Sequence, residues 1–265
     1  MSQRAMVSIL FSRNAIISIG FLSCMLPLPA LSDSTDFSDV PLAVKNAAKP
    51  NIMFILDNSG SMDWRSTTGT DGLNQYSTTA IDFYSSLVNK LYYDPDVRYI
   101  PPVVASSFSA DNPEGVSMGN ADASSNGALN DPYLSPSSGR TDLTKKCYYS
   151  TATPPLVPTT SNCQTYSSTY RYGPIAFSAY YYQYTGGGIP TPGSSTSYVR
   201  RDIVSENAPF TRAASRTDCS TSGSGRSCSY AQEIQNFANW HSYYRTRILT
   251  MKTTMGQAFA AMGNK

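Results

Sequence analysis

Pro50-Asn51-Ile52-Met53-Phe54-Ile55-Leu56-Asp57-Asn58-Ser59-Gly60-Ser61 sets the terms for the rest of the chain. Five apolar residues at 52–56 run without polar alternation, which predicts a strand covered on both faces, as at the centre of a parallel sheet. Pro50 blocks any earlier helical start. The strand over 51–57 ends in a turn-forming cluster at 57–61. Asp57, Ser59 and Ser61 are alternate residues of that turn, so it can aim three side chains at one point, and Gly60 lets the backbone turn without steric cost. One carboxylate and two hydroxyls are hard oxygen ligands, suited to Mg²⁺, Mn²⁺ or Ca²⁺ and poor for zinc. Mg²⁺ prefers six oxygens, so these three make half a site, to be completed by other loops and by an incoming acidic ligand. The carboxyl end of a strand is also where open α/β sheets bind ligands. The plain alternative is a solvated turn in which Asp57 bonds nearby backbone N–H groups. The apolar run in front of it favours the metal reading.

Upstream, Arg4 and Arg13 are the only charges before Asp33, and an apolar stretch at 15–26 is followed by Leu28-Pro29-Ala30. A basic start, a short apolar core and a small residue at the cleavage point predict a secretory signal peptide over residues 1–30. The stretch is too short to span a bilayer, so no transmembrane segment is expected once the signal is removed. The chain has 20 Lys+Arg and 18 Asp+Glu, and loss of Arg4 and Arg13 leaves 18 of each. A neutral exported chain has no electrostatic pull toward nucleic acid or anionic membrane. Export also fits the composition: 39 Ser, 24 Thr and 19 Tyr against 14% charged residues. Four cysteines remain after cleavage: Cys147, Cys163, Cys219 and Cys228. An even number in an exported chain implies disulfides with three possible connectivities. The local pairs Cys147–Cys163 and Cys219–Cys228 close the shortest loops and are favoured.

Downstream, residues 31–49 read as a lead-in arm, and residues 50–265 as one α/β unit. From 62 to 228 the texture is irregular, with scattered Pro, Gly, Ser and Thr, and a stretch this long reads as an insertion. Within it, 78–91 has the spacing of a helix and 175–184, rich in aromatics, that of a strand. The clearest helix covers 230–262, where Ile234, Phe237, Tyr244, Ile248, Met251, Met255, Phe259 and Met262 recur at helical spacing and His241 fills one gap. Ser229 and Gln232 form a capping box, Gly263 supplies the stop, and a bend is expected near Gly256.

The 50–62 segment resembles the opening strand and metal-ion-dependent adhesion site of a von Willebrand factor A domain. Other motifs narrow the likeness. Tyr92-Tyr93-Asp94-Pro95 with Tyr99-Ile100-Pro101, Ala179-Tyr180-Tyr181-Tyr182, Phe210-Thr211-Arg212, Arg216-Thr217-Asp218-Cys219 and Tyr230-Ala231-Gln232-Glu233-Ile234-Gln235-Asn236-Phe237-Ala238-Asn239-Trp240 occur in the order seen in the PilC/PilY family of type IV pilus biogenesis proteins and tip adhesins. The resemblance implies an exported protein of the outer membrane or pilus tip, whose partners are pilins or minor pilins and host-surface or matrix proteins. It implies an incomplete von Willebrand factor A-like, Rossmann-like fold: one core strand and one long helix, interrupted by an insertion at 62–228 with short strands and a helix. Family members are longer, and their A-type core continues past this helix with the Thr and second Asp of the metal site. A truncated chain with weak or no metal binding is therefore expected, and a fragment without function is the alternative.

An exported hydrolase is the remaining reading. His241 is the only histidine and falls on the apolar face of the terminal helix, where packing accounts for it. A Ser59 or Ser61 nucleophile would need it close by, and Gly-x-Ser-x-Gly is absent. No enzymatic activity is expected.

Overall fold

Ser229 opens the helical part of the chain as its sequence predicts. The computed structural model describes residues 55–66, 81–104, 116–134, 139–190 and 194–262. In it the Ser229 hydroxyl accepts the Gln232 N–H at 3.3 Å, and the Ser229 N–H donates to Gln232 Oε1 at 2.8 Å. Two otherwise orphaned donors are thereby satisfied at the start of helix α1, Tyr230–Tyr243.

The single helix expected over 230–262 is in fact two. Helix α2 spans Arg247–Met262, and the interruption falls at 244–246 rather than near Gly256. Tyr244 leaves helical geometry at φ −135°, ψ −10°. Threonine hydroxyls hold the break: Thr250 and Thr253 donate to the carbonyls of Tyr244 and Tyr243 at 2.6 and 2.8 Å, while Thr246 Oγ1 accepts the Leu249 N–H at 3.3 Å. Side-chain oxygens here take over bonds that a continuous helix would make with backbone groups. Apolar periodicity runs through the break and cannot register it.

Among the described residues, eleven short strands precede the helices, and every pairing is antiparallel. In chain order they are β1 Val103–Val104, β2 Val116–Ser117, β3 Ala128–Leu129, β4 Arg140–Thr141, β5 Lys146–Tyr149, β6 Tyr172–Ala176, β7 Tyr180–Tyr184, β8 Tyr198–Asp202, β9 Phe210–Arg212, β10 Ser220–Ser222 and β11 Gly225–Cys228. The first eight form two-stranded ribbons of consecutive strands, and the last three form a sheet of order β10-β11-β9. The expected strand at 175–184 is thus two strands with different partners, β6 on β5 and β7 on β8. Gly173 is needed at the β5–β6 contact: its φ is +127°, and a Cβ there would sit 2.7 Å from the Cys147 carbonyl oxygen. Both local disulfides form, Cys147–Cys163 and Cys219–Cys228.

Two further expectations change. The helix predicted over 78–91 is a 3-10 turn at Ile81–Tyr84 followed by turns, with 78–80 outside the described residues. Asn89 explains the difference. Its amide donates to the carbonyls of Phe83 and Arg65 at 3.0 and 2.8 Å and accepts the Leu91 N–H at 3.2 Å, so the side chain replaces helical bonds. The strand predicted over 51–57 does not include its last residues. Ile55 and Leu56 have no regular structure and are 90% and 50% exposed. No described strand pairs with them. Residues 50–54, the arm at 31–49 and the signal segment at 1–30 lie outside the described residues.

The core forms where α1 meets the aromatic segment around 83–99 and β7. Tyr93 packs on Phe237 at 4.8 Å between ring centroids, Phe237 on Trp240 at 4.9 Å, and Trp240 on Tyr92 at 4.9 Å. Rings of this size bring a large apolar area into the core, beside Leu143, Ile203, Val204 and Ile234. No helix among the described residues is long and apolar enough to cross a membrane.

Candidate functional site

Residues 55–66 place the predicted ligands on one exposed turn. Asp57 Oδ1 accepts the Ser59 N–H at 2.8 Å, and Ser59 Oγ lies 2.9 Å from Ser61 Oγ. Ser59 leads into a 3-10 turn, Gly60–Asp63, closed by the Met62 N–H donating to the Ser59 carbonyl at 2.9 Å. Gly60 has no left-handed φ, and a Cβ on it would meet nothing within 4 Å, so the turn does not require glycine there. Behind the turn, the Arg247 guanidinium stacks on Trp64 at 5.0 Å and its Nε donates to the Ser66 carbonyl at 2.8 Å, joining the turn to the start of α2.

The arrangement suits a hard cation in one respect. Two oxygens bound to Mg²⁺ at about 2.1 Å on adjacent octahedral corners stand about 3 Å apart, close to the Ser59–Ser61 separation. The carboxylate is ready in its charged form: hydrogen bonds from the Ser59 backbone and side chain hold Asp57 below the ordinary carboxylate range. These same bonds are those of an isolated Asx turn. No three His, Cys, Asp or Glu side chains gather among the described residues.

A different set of predicted motifs comes together in the interior. Glu233 on α1 is fully buried. It accepts from Tyr93 Oη at 2.8 Å, Arg212 Nη2 at 2.8 Å and Arg216 Nη1 at 2.9 Å. Arg216 grips Asp218 with two bonds of 3.0 Å and donates to the Pro95 carbonyl at 2.7 Å. Burial alone would disfavour charge on Asp218, but the Arg216 guanidinium outweighs it and holds that carboxyl below its usual value. One turn further along α1, Asn236 and Asn239 read the backbone of the 97–121 segment. Asn236 accepts the Tyr99 N–H at 2.8 Å and donates to the Val97 carbonyl at 2.8 Å. Asn239 accepts the Ala121 N–H at 2.9 Å and donates to the Tyr99 carbonyl at 3.1 Å. Trp240 Nε1 donates to the Leu91 carbonyl at 2.9 Å. The motif residues at 92–101, 210–219 and 230–240 are therefore one scaffold, which satisfies buried charges and irregular backbone against a single helix.

His241 has a different partner. It is 8% exposed, and its Nε2 lies 2.6 Å from Arg245 Nη1, one helical turn on. Arg65 and Arg245 beside it were not singled out by the sequence, where the only signal was the i, i+4 spacing of His241 and Arg245.

The comparisons with known proteins agree with the motifs. The chain is 30% identical over 227 residues to the type IV pilus biogenesis factor PilY1 of Pseudomonas aeruginosa strain PAK, covering 85% of this chain and 16% of that protein. It is 30% identical over 244 residues to its counterpart in strain UCBPP-PA14, covering 90% and 17%. The chain thus spans about one sixth of the length of these curated relatives. No protein-family model and no solved structure matches it. Its motif residues are gathered into one buried scaffold, and its similarity to PilY1 runs through most of its own length.

Proposed function

We propose that this chain serves type IV pilus biogenesis from outside the cytoplasm, exported through the periplasm to the outer membrane or pilus tip. The observation that carries this reading is the similarity to PilY1 over 85–90% of the chain. On the same reading, Asp57, Ser59 and Ser61 are three oxygen ligands for Mg²⁺, Mn²⁺ or Ca²⁺ on a von Willebrand factor A-like scaffold. A cation bound there would offer an open coordination position to acidic groups on pilins, minor pilins, or host-surface and matrix proteins. What supports it is the turn itself: two hydroxyls at 2.9 Å, and a carboxylate kept ionised by the backbone beside them. The chain's own part is to hold those oxygens together on the surface.

The role is one of binding rather than catalysis. The Ser59 and Ser61 hydroxyls bond each other, and His241 faces Arg245.

The test is complementation of a strain lacking the gene. Asp57→Ala should leave the protein exported but reduce adhesion, while Glu233→Ala should remove the protein itself through misfolding. Full adhesion by Asp57→Ala would remove the cation from the proposal. Normal pili in the strain lacking the gene would remove pilus biogenesis. The three turn oxygens alone should hold metal weakly, so submicromolar Mg²⁺ binding by calorimetry would show that further ligands complete the site.

A further inference from the structure

A cavity of about 490 Å³ opens beside the core, and Arg65, Asn130, Thr141, Trp240, His241 and Arg245 line it along with several aromatic rings. Among the described residues, no Asp or Glu lines it. Arg245 uses both terminal nitrogens on neutral acceptors, Nη1 on Asn130 Oδ1 at 3.1 Å and Nη2 on the Asn130 carbonyl at 2.8 Å. It also donates to His241 Nε2 at 2.6 Å. A guanidinium is always a donor, so Nε2 is the acceptor and the imidazole proton resides on Nδ1. That Nδ1 and the Arg245 Nε are buried and have no hydrogen-bond partner among the described residues. Two buried donors without acceptors, beside a cavity lined by two cations, form an arrangement short of a hydrogen-bond acceptor, with Asp131 offsetting only part of the charge on Arg245.

We propose that this cavity binds a carboxylate carried on an apolar or aromatic group. The carboxylate oxygens take the His241 Nδ1–H and Arg245 Nε–H, Arg65 neutralises the charge from the exposed side, and Trp240, Tyr92 and Tyr180 enclose the apolar part. The volume is that of a small-ligand site, with aromatic walls on one part and convergent polar groups on the other. Energetics point the same way. Burial, with Arg65 nearby, pushes Arg245 down to about 10, and burial with Arg245 and Arg65 holds His241 well below its usual value. A bound anion would relieve both.

The test is a titration of the purified chain with 3-phenylpropionate, followed by calorimetry and by the fluorescence of Trp240, one of two tryptophans. Saturable binding is expected, with 3-phenylpropionamide binding at least about tenfold more weakly because it lacks the charge. Arg65→Ala alters an exposed residue and should fold normally while weakening binding about tenfold. His241→Gln, which retains a donor group, tests the buried end, and its melting curve separates lost binding from lost folding. Asp57→Ala should leave affinity unchanged, because the cation turn is a separate feature. Equal affinity for acid and amide, no saturable binding of either, or full affinity in Arg65→Ala would each overturn the proposal. A peptide ending in Phe with a free carboxylate, compared with its amidated form, distinguishes a protein terminus from a free small acid as the source.

Discussion

The Asp57–Ser61 turn and the first turn of α1 both carry acids flanked by hydrogen-bond partners, and they behave as opposites. Asp57 is fully solvated and bonded within two residues of itself. Glu233 is fully buried and held by Tyr93, Arg212 and Arg216, partners 17 to 140 residues away. A local exposed carboxylate can be replaced without disturbing the fold and is free to meet a ligand. A carboxylate satisfied only by distant partners is part of the fold, because removing it leaves the Arg212 guanidinium without its counter-charge and Arg216 with Asp218 alone. Motif strength in sequence does not separate the two kinds.

The largest effect should come from breaking the buried side of this contrast. Glu233→Ala should destabilise by about 3–5 kcal/mol, measured by urea unfolding, since an uncompensated buried charge is left behind. A loss under about 1 kcal/mol would show that the network is solvated. Next, Cys147→Ala with Cys163→Ala opens a loop of sequence separation 16 and should cost about 3 kcal/mol. Asn239→Ala removes both the acceptor for the Ala121 N–H and the donor to the Tyr99 carbonyl, and should cost about 1–3 kcal/mol by the same measurement.

A pH titration sharpens the contrast from a third position. His241 has its folded pKa lowered by burial, with the Arg245 and Arg65 charges adding to it. The unfolded chain therefore takes up a proton that the folded chain refuses, and stability present above the unfolded value near 6.5 is lost as pH falls below it. The slope from this one group is at most about 1.4 kcal/mol per pH unit. His241→Gln should flatten the melting curve between pH 5 and 7, and an unchanged slope would place the titration elsewhere. At the small end, Gly60→Ala and Asp57→Ala should leave the unfolding midpoint unmoved, Gly60 because its φ is not left-handed and its Cβ site is open. A clear loss in either would mean the turn is braced by more than its own hydrogen bonds.

What could be read in the residues were features fixed by near neighbours. The capping box at Ser229, the two short-loop disulfides and the Asp57–Ser61 turn all depend on atoms close in sequence, and local spacing states them. The break at 244–246 was hidden because threonine hydroxyls, rather than a change in apolar period, produce it. The helix expected over 78–91 failed for a similar reason, since the Asn89 amide takes the place of backbone bonds. In the site, Arg65 and Arg245 escaped notice because two arginines 180 residues apart carry no pattern that brings them to one cavity.

Sequence alone was enough to determine the family motifs, the local pairing of the cysteines and the turn that holds three oxygens. Only the tertiary structure decided that Glu233, Arg212, Arg216 and Asp218 neutralise one another in the interior, and that His241 lines a cation-edged cavity instead of merely filling a core. The reason is physical: a turn's geometry follows from steric and hydrogen-bonding choices within a few residues, whereas the state of a buried charge depends on which distant side chains replace its lost water.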